Sequence, residues 1–273
     1  MNIFLIIFIV FINITFGYGK FSKKIIGGSI ADNREFEFQI SLRYKGQHVC
    51  GGAIIDSKHI LTVAHCILRC PIAPIDTNNF EVLVESNFIT NNNYGQLIKI
   101  CRIYIHKNYD STQAIKYRYD IAMLTLSTTI EFNSRIKPIS LPKNNIPDNS
   151  KVTVSGWGSP NCGAIRPTFY LKKLELNTIS NIHCTKLHKT FLYNENVCTL
   201  HEFGWSCSWG DSGNALIANN ELVGLLSMGI PQLPKIPDIY IRIYEFLPWI
   251  KNVYKHIKTS GKERCQRFTP IKL

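Results

Sequence analysis

From residue 25 onward, short runs of β-branched and aromatic residues alternate with clusters of Gly, Pro and Asn. Short runs bounded by turn residues are typical of β-strands, and their repetition predicts an all-β barrel or sandwich. The clearest runs are Gln39 to Tyr44, Ala53 to Thr62, Phe80 to Val84, Leu97 to Ile105, Asp120 to Leu126, Lys151 to Ser155 and Leu222 to Ser227.

Convincing helical spacing occurs near the end of the chain. Apolar residues recur there three or four positions apart, which predicts one helix over about residues 244–257. The residues in this pattern are Tyr244, Leu247, Ile250, Val253 and Tyr254. Between the two sets of strands, the segment 132–147 contains three prolines and is interpreted as a crossover between two halves, about 25–133 and about 148–243.

The chain starts with a continuous apolar run, Ile3 to Ile12, followed by the small residues Gly17 and Gly19. The run is too short for a comfortable membrane span, so it predicts a secretory signal peptide over about residues 1–19. An uncleaved signal anchor is the alternative, disfavoured because no basic stop-transfer cluster follows at once. We therefore expect a secreted, extracellular protein without stable membrane insertion, in which the nine cysteines can form disulfides.

Composition and charge narrow the class of protein. The 273 residues are 45% apolar and 18% charged, which favours a packed globule over a disordered chain. Removal of the three lysines before residue 25 reduces 31 basic residues to 28, which leaves +9 against 19 acidic residues. Such a charge favours anionic surfaces, but it is equally compatible with a basic enzyme in which the charge has no function. Neither zinc-type Cys/His spacing nor a phosphate-binding glycine loop occurs, so we expect no metal, no cofactor and no nucleic-acid partner.

Three separate motifs together supply one chemistry. A serine hydroxyl is a poor nucleophile unless a neighbouring base takes its proton, and that base must itself be oriented by a third group. The segments Thr62–Cys66, Tyr119–Ala122 and Gly210–Gly213 offer a His, an Asp and a Ser in that order along the chain. This order is one of the known arrangements of a catalytic triad.

With Lys24 to Gly28 in addition, the motifs resemble those of chymotrypsin-like (trypsin-fold) serine proteases made as zymogens. The resemblance covers about residues 25–257. It implies two six-stranded antiparallel β-barrels with the active site between them, followed by a C-terminal α-helix. A short activation peptide would span residues 20–24, and a basic tail over 258–273 has no counterpart in the family, so we expect it to be exposed.

The resemblance assigns the catalytic roles to particular residues. Ser212 would be the nucleophile, His65 the general base and Asp120 the group that orients and supports His65. The amides of Gly210 and Ser212 would form the oxyanion hole.

It also implies an activation step. Cleavage after Lys24 would free the Ile25 ammonium, which would pair with Asp211 and order the oxyanion loop.

Disulfide pairing is likewise implied by the resemblance. It gives Cys50–Cys66 around the histidine loop, Cys184–Cys198 beside the pocket and Cys70–Cys101 between neighbouring strands of the first barrel. Cys207 lacks its usual partner, so Cys162 or Cys265 must serve, and we expect Cys162–Cys207. Because nine is odd, one thiol is left free or joins another chain.

The substrate pocket departs from the family pattern. In the family, the residue six positions before the nucleophile forms the base of the primary pocket. Counting back from Ser212 places Ser206 there, which would suit a large apolar substrate side chain. Counting from Cys207 places Trp205 there instead. Trp209 lies in the stretch that carries one extra residue.

Three further pocket positions follow from the resemblance. Ser227, Met228 and Gly229 would form the edge that binds extended substrate. Asp238 replaces a glycine of the pocket wall and either attracts Lys or Arg side chains, or narrows the pocket or turns outward.

Asn214 stands where the family has a second glycine after Ser212, which weakens the case for activity.

Two hypotheses about function follow. The first is a secreted serine endopeptidase, of chymotrypsin-like, broad or trypsin-like preference, that acts on proteins or peptides as a monomer. Protein protease inhibitors and an activating protease would be its partners. The second is a non-catalytic protease homologue that acts as a binding or regulatory module.

Overall fold

The computed structural model describes residues 28–32, 34–68, 77–84, 87–89, 95–110, 118–158, 168–201, 210–229, 236–260, 265 and 270–273. The strands in chain order are β1 (Ser29–Ile30), β2 (Gln39–Tyr44), β3 (Gln47–Ile54), β4 (His59–Thr62), β5 (Phe80–Val84), β6 (Gln96–Ile105), β7 (Ala122–Leu126), β8 (Lys151–Gly156), β9 (Lys172–Ile179), β10 (Asn196–Leu200), β11 (Ala215–Ala218), β12 (Glu221–Met228), β13 (Asp238–Arg242) and β14 (Ile271–Lys272). The helices are α1 (His65–Leu68), α2 (Asn181–His188) and α3 (Ile243–Thr259), with a 3₁₀ turn at Thr77–Asn79.

Strands β2 to β7 close into the first barrel in the antiparallel order β6-β5-β2-β3-β4-β7, and β7 pairs again with β6. Every residue of β4, β5 and β7 is buried. Strands covered on both faces carry continuous apolar runs instead of an alternating pattern. These strands are therefore covered by the core on the inside of the barrel and by other segments of the protein on its outside.

Strands β8 to β13 close into the second barrel in the antiparallel order β9-β10-β13-β12-β11-β8, and β8 pairs again with β9. Along β9, buried positions alternate with exposed or half-buried ones, as expected of a strand with one face on the core. The barrel core is made by Val152, Val154, Leu174, Leu176, Val197, Leu216, Val223, Leu226 and Tyr240. The predicted fold of two six-stranded antiparallel barrels and a C-terminal helix is confirmed.

The predicted run from Ala53 to Thr62 is two strands joined by a turn. Asp56 Oδ1 accepts hydrogen bonds of 2.7 Å from Lys58 N and 2.9 Å from His59 N, which closes the turn between β3 and β4. A carboxylate that caps backbone donors in this way is a frequent cause of turns, and it interrupts the apolar run without a Gly or Pro.

Helix α3 begins one residue earlier and ends two residues later than predicted. Its buried residues are Ile243, Phe246, Trp249, Ile250 and Val253, whereas Tyr244 is 38% exposed. The apolar stripe is therefore shifted by one residue from the predicted one at its start. Tyr254 donates a hydrogen bond to Asp56 Oδ2 of the first barrel, which fixes the end of the helix. No helix of the described residues is long and apolar enough to cross a membrane.

The expectation of an exposed tail is wrong for the end of the chain. Strand β14 pairs in parallel with β6, and the backbone of Leu273 bonds to Ile105 and Lys107. Trp249 Nε1 donates a hydrogen bond of 2.9 Å to the Leu273 carbonyl. The tail packs because its last residues pair with β6 of the first barrel and accept a hydrogen bond from the indole of Trp249 on α3.

The predicted Cys70–Cys101 disulfide is also wrong, because Cys101 is bonded to Cys265 with a Cα–Cα distance of 4.9 Å. The tail brings Cys265 to strand β6, so Cys101 is joined to the tail instead of to a neighbouring loop. Cys265 is consequently not the partner of Cys207.

Candidate active site

His65 and Asp120 lie side by side on the first barrel. Asp120 Oδ2 is 2.7 Å from His65 Nδ1, and Oδ1 accepts a bond of 2.8 Å from His65 N. Both residues are buried, Asp120 to 1% exposure and His65 to 8%. Because the carboxylate can only accept, Nδ1 carries the ring proton and Nε2 remains as a proton acceptor.

Strand pairing explains how these two residues meet. Thr62, the last residue of β4, pairs with Ala122, the first residue of β7. Three residues after Thr62 the chain enters α1 at His65, and two residues before Ala122 lies Asp120. Tyr119 has a φ of 60°, a left-handed conformation that turns the chain into Asp120.

A β-bulge brings a residue of the second barrel to the same carboxylate. The register of β12 with β13 shifts between Leu226 and Met228, so that Ser227 is the extra residue. Bulges re-aim side chains and are frequent beside active sites. Here Ser227 Oγ donates a hydrogen bond of 2.6 Å to Asp120 Oδ2, which joins the two barrels at the predicted triad.

The segment that carries Ser212 is a tight turn that needs its glycines. Gly210 and Gly213 have φ values of 91° and 82°, which favour glycine. Gly213 N donates 2.7 Å to Leu226 O, and a Cβ on Gly213 would lie 2.5 Å from Gly51 O. Only glycine therefore fits at position 213, directly after the predicted nucleophile.

Ser212 is attached to the histidine loop through its backbone. Gly51 N donates a bond of 2.8 Å to Ser212 O. Gly51 follows Cys50, and the Cys50–Cys66 disulfide holds the residue that follows His65. These two links connect the Ser212 backbone with the segment that carries His65. Within the described part of the chain, no hydrogen bond joins the Ser212 hydroxyl to the imidazole, and none uses the N–H of Gly210 or Ser212.

His48 supports the Gly210 turn from the first barrel. Its Nε2 lies 2.9 Å from Gly210 O, and its Nδ1 lies 2.9 Å from Ser41 Oγ. A carbonyl can only accept, so Nε2 carries the proton and Nδ1 accepts from the serine. Burial lowers the pKa of His48 to about 4, so the ring is neutral at physiological pH.

Asp211 and Asn214 face inward behind Ser212. Asp211 is 1% exposed, and its Oδ1 accepts bonds of 2.8 Å from Gly158 N and 2.9 Å from Asn214 Nδ2. Asn214 is completely buried and its φ is not positive. This residue, expected from the sequence to weaken the site, therefore fits the backbone without left-handed strain and bonds to its neighbour.

Arg118 links the loop before Asp120 to the second barrel. Its Nε and Nη2 lie 3.0 Å and 2.8 Å from Glu195 Oε1. The guanidinium carbon lies 4.7 Å from the ring centre of Tyr119 and 4.2 Å from that of Tyr193. Tyr119 is stacked in turn on His106, with 4.7 Å between ring centres. Sequence reasoning missed this clamp because Arg118 and Glu195 are 77 residues apart in the chain.

The predicted pocket residues that the structure describes lie on β12, directly after it, or on β13. Asp238 is 2% exposed and pairs with Thr199 of β10. Side chains two residues apart on a strand share a face, so Asp238 shares that of Tyr240, whose ring packs in the core of the second barrel. Met228 and Gly229, at the end of β12, are half-buried.

Several sequence predictions fall outside the described residues. They concern the activation residues Lys24 and Ile25, the pocket residues Ser206 and Trp209, the pair Cys162–Cys207, and the signal peptide. Of the other predicted disulfides, Cys50–Cys66 and Cys184–Cys198 are present.

Potential metal ligands also gather beside His65. Ligand atoms of Cys50, His65 and Cys66 lie within 4.8 Å of one another. The two sulfurs are joined in a disulfide and are not thiolates, so this group lacks the ligands that a thiolate metal site requires.

The sequence model of the family described as Trypsin matches residues 25–250, which is most of the chain. The chain belongs to the trypsin family of serine proteases. This trypsin-family chain is 29% identical over 228 residues to chymotrypsin-2 of Vespa crabro, covering 83% of this chain and 98% of that protein. It is 29% identical over 233 residues to trypsin delta of Drosophila erecta, and the match covers 83% of this chain and 87% of that protein.

More distant similarity extends to other members of the family. The clotting factor G beta subunit of Tachypleus tridentatus is 27% identical over 259 residues, covering 87% of this chain and 82% of that protein. The solved structure of neuropsin, a serine protease expressed in the limbic system of mouse brain, superposes with a TM-score of 0.75 at 22% identity. The superposition covers 84% of this chain and 99% of the neuropsin chain, which supports the fold.

Proposed function

We propose that this trypsin-family protein is a secreted serine endopeptidase that hydrolyses peptide bonds through Ser212, His65 and Asp120. The observation that carries the proposal is the Asp120 carboxylate, which bonds to His65 Nδ1 at 2.7 Å and leaves Nε2 free to accept a proton. A binding module has no need for an imidazole held in this tautomer.

In each step of the proposed reaction, His65 accepts or donates the proton that is transferred. The Ser212 Oγ attacks the substrate carbonyl carbon while its proton passes to His65 Nε2. The Asp120 carboxylate stabilises the resulting imidazolium. Collapse of the tetrahedral intermediate breaks the C–N bond, and His65 gives the proton to the leaving amine. Water then attacks the acyl-enzyme by the same route, which releases the acid and restores Ser212.

The oxyanion hole would be formed by the N–H groups of Gly210 and Ser212. Among the described residues neither group is engaged in a hydrogen bond, and each is free to donate to the developing oxyanion. Two such donors lower the barrier by about 3 kcal/mol each in related chemistry. His48 and Gly51 support this arrangement, since they hold the carbonyls of Gly210 and Ser212 from the first barrel.

Activation after Lys24 belongs to the same proposal. The carboxylate of Asp211 is buried, and a buried carboxylate is stable only with hydrogen bonds or a positive partner. The ammonium freed at Ile25 would supply such a charge, in addition to the donors at Gly158 and Asn214.

Asp238 supports a preference for substrates with Lys or Arg at the cleaved bond. Its side chain shares the inward face of β13, which disfavours an outward orientation. A carboxylate beside the pocket would attract the cationic end of a substrate Lys or Arg, and it would not repel the apolar stem of that side chain. Replacing Asp238 with Asn should lower the ratio of Lys or Arg cleavage to Phe or Leu cleavage in a peptide library. An unchanged ratio would assign a chymotrypsin-like or broad preference.

A labelling experiment tests the central proposal. The chain is cleaved after Lys24, treated with a serine-directed fluorophosphonate and examined for label on Ser212. The Ser212→Ala variant is the control for labelling elsewhere. Absence of label from correctly processed, folded protein would mean that the chain is a non-catalytic homologue with a binding role.

A further inference from the structure

Four polar side chains form a buried line between the two barrels. Ser155 lies on β8, Gln39 on β2, and Asn214 and Asp211 in the segment around Ser212. Each of the four is 4% exposed or less. We refer to them as the amide relay. Buried polar groups of this kind persist only when their hydrogen bonds are satisfied, so the pairing within the relay has structural meaning.

The hydrogen bonds of the relay all point in one direction. Ser155 Oγ donates to Gln39 Oε1 at 2.9 Å, Gln39 Nε2 donates to Asn214 Oδ1 at 2.7 Å, and Asn214 Nδ2 donates to Asp211 Oδ1 at 2.9 Å. An ionised carboxylate only accepts, so Asn214 must present its nitrogen to Asp211 and its oxygen to Gln39. The orientation of Gln39 and of the Ser155 hydroxyl follows in the same way.

The surrounding backbone leaves room for the Asn214 amide. A Cβ on Gly51 would lie 1.7 Å from Asn214 Oδ1, and a Cβ on Gly156 would lie 2.0 Å from Asn214 Nδ2. Two glycines on different barrels are therefore required for this side chain. The fit indicates that Asn214 is a specific part of the site and not a tolerated substitution.

We propose that Asn214 is a positioning residue that fixes Asp211, and through it the Gly210 and Ser212 backbone, to the first barrel. The inference rests on the proposed function of Ser212. Asn214 holds Asp211 twice, by its side chain and by a bond of 3.0 Å from Asn214 N to Asp211 O. Asp211 lies between the two amides of the proposed oxyanion hole, so a displaced carboxylate moves both donors.

The primary test compares processed wild type with Asn214→Ala and with Asn177→Ala, which replaces an exposed asparagine of the same barrel. Loss of a buried hydrogen-bonded pair corresponds to about a 10- to 100-fold effect. We expect kcat and the rate of fluorophosphonate labelling to fall by that factor in Asn214→Ala. KM should change by less than about threefold, because the residue touches no substrate. Asn177→Ala should match wild type.

A second variant guards against simple loss of folding. In Asn214→Asp, a protonated carboxyl reproduces the acceptor for Gln39 and the donor for Asp211, whereas an ionised one places two carboxylates together. Asp211 is the titratable group bonded to this position, the Ile25 amine is its proposed partner, and His48 holds Gly210 from β3. The ratio of variant to wild-type kcat at equal pH should therefore rise as the pH falls from 8 to 5.5.

Hydrogen exchange separates this inference from the proposed function. Exchange in peptides covering 210–214 should accelerate in Asn214→Ala relative to peptides from β12, whether or not the wild type labels. Wild-type protein without label would overturn the catalytic proposal alone. Folded Asn214→Ala with unchanged exchange and, where the wild type is active, unchanged kcat would overturn the positioning role. A ratio of Asn214→Asp to wild-type kcat that does not change with pH would also overturn the positioning role.

Discussion

Ser227 donates a hydrogen bond of 2.6 Å from Oγ to Asp120 Oδ2, although the two residues belong to different barrels. This single contact, together with the Asp120–His65 pair, gives Asp120 Oδ2 two donors. The carboxylate is thus fixed between the base that it orients and the second barrel. The sequence predicts Ser227 at the edge for extended substrate, and the contact with Asp120 is one that the sequence did not predict.

Ser227→Ala should lower kcat/KM by about tenfold or more, because a hydrogen bond to a charged group contributes about 1.5–3 kcal/mol. The processed variant is assayed on a peptide amide over a range of pH. Ser140→Ala, at an exposed position, is the control and should behave as wild type. Equal kcat/KM for Ser227→Ala would show that Asp120 is fixed without this bond.

The Arg118 clamp should stabilise the docking of the barrels. The Arg118 side chain is 31% exposed, so we expect a loss of only about 1–2 kcal/mol for Arg118→Ala in urea unfolding. Arg118→Lys keeps the charge but loses the planar fork, so it should rescue little of that loss. A double-mutant cycle with Glu195→Gln measures the coupling. Lys137→Ala, which breaks an ion pair whose lysine is 57% exposed, should fall within about 0.5 kcal/mol of wild type.

Folding stability should decrease as the pH falls from 6.5 to 4. Burial lowers the pKa of both His48 and His106 from 6.5 to about 4. In this window the unfolded chain binds protons that the folded protein does not, so stability is complete above pH 6.5 and is lost on acidification. His48 alone corresponds to about 3 kcal/mol. Urea unfolding at several pH values measures the slope.

Substitutions assign the slope to particular rings. His48→Gln and His106→Asn should each reduce it, because the side chain that resists protonation is removed. His183→Asn, at an exposed position of α2, should leave it unchanged. A slope that is as steep in both buried variants as in the wild type would contradict the assignment.

The Cys101–Cys265 disulfide should be directly detectable. Peptide mapping without reduction should yield one linked peptide that contains both residues, and Cys70→Ser should leave it intact. The double variant Cys101→Ser/Cys265→Ser should lose about 2–5 kcal/mol of stability in the chain-entropy model for a long loop. A linked peptide that joins Cys70 to Cys101 would restore the original prediction.

The sequence was a good guide wherever a local pattern sufficed. Strands such as Gln39–Tyr44 and Phe80–Val84 have the predicted bounds, because apolar runs between turn residues depend on near neighbours. The tail could not be predicted in this way, since β14 has only two residues and its partner β6 is distant in sequence. Disulfide partners such as Cys265 are likewise not fixed by sequence alone.

The role of Asn214 was missed for a related reason. Judged beside Ser212 and Gly213, it is a departure from the family pattern. Its hydrogen-bond partner Gln39 is 175 residues away, and Gly51 and Gly156, which leave it room, lie on separate barrels. A polar side chain in a buried site can be interpreted only when its three-dimensional neighbours are known.

The bond between Cys101 and Cys265 closes a covalent ring with a sequence separation of 164 residues. Asp120, Ser212 and the whole second barrel lie inside that ring. A peptide bond cut once between these cysteines, by another protease or by a second copy of this one, leaves a single covalent molecule. Nicked protein would run at full size on a gel until its disulfides are reduced, so an apparently intact preparation can already be cleaved.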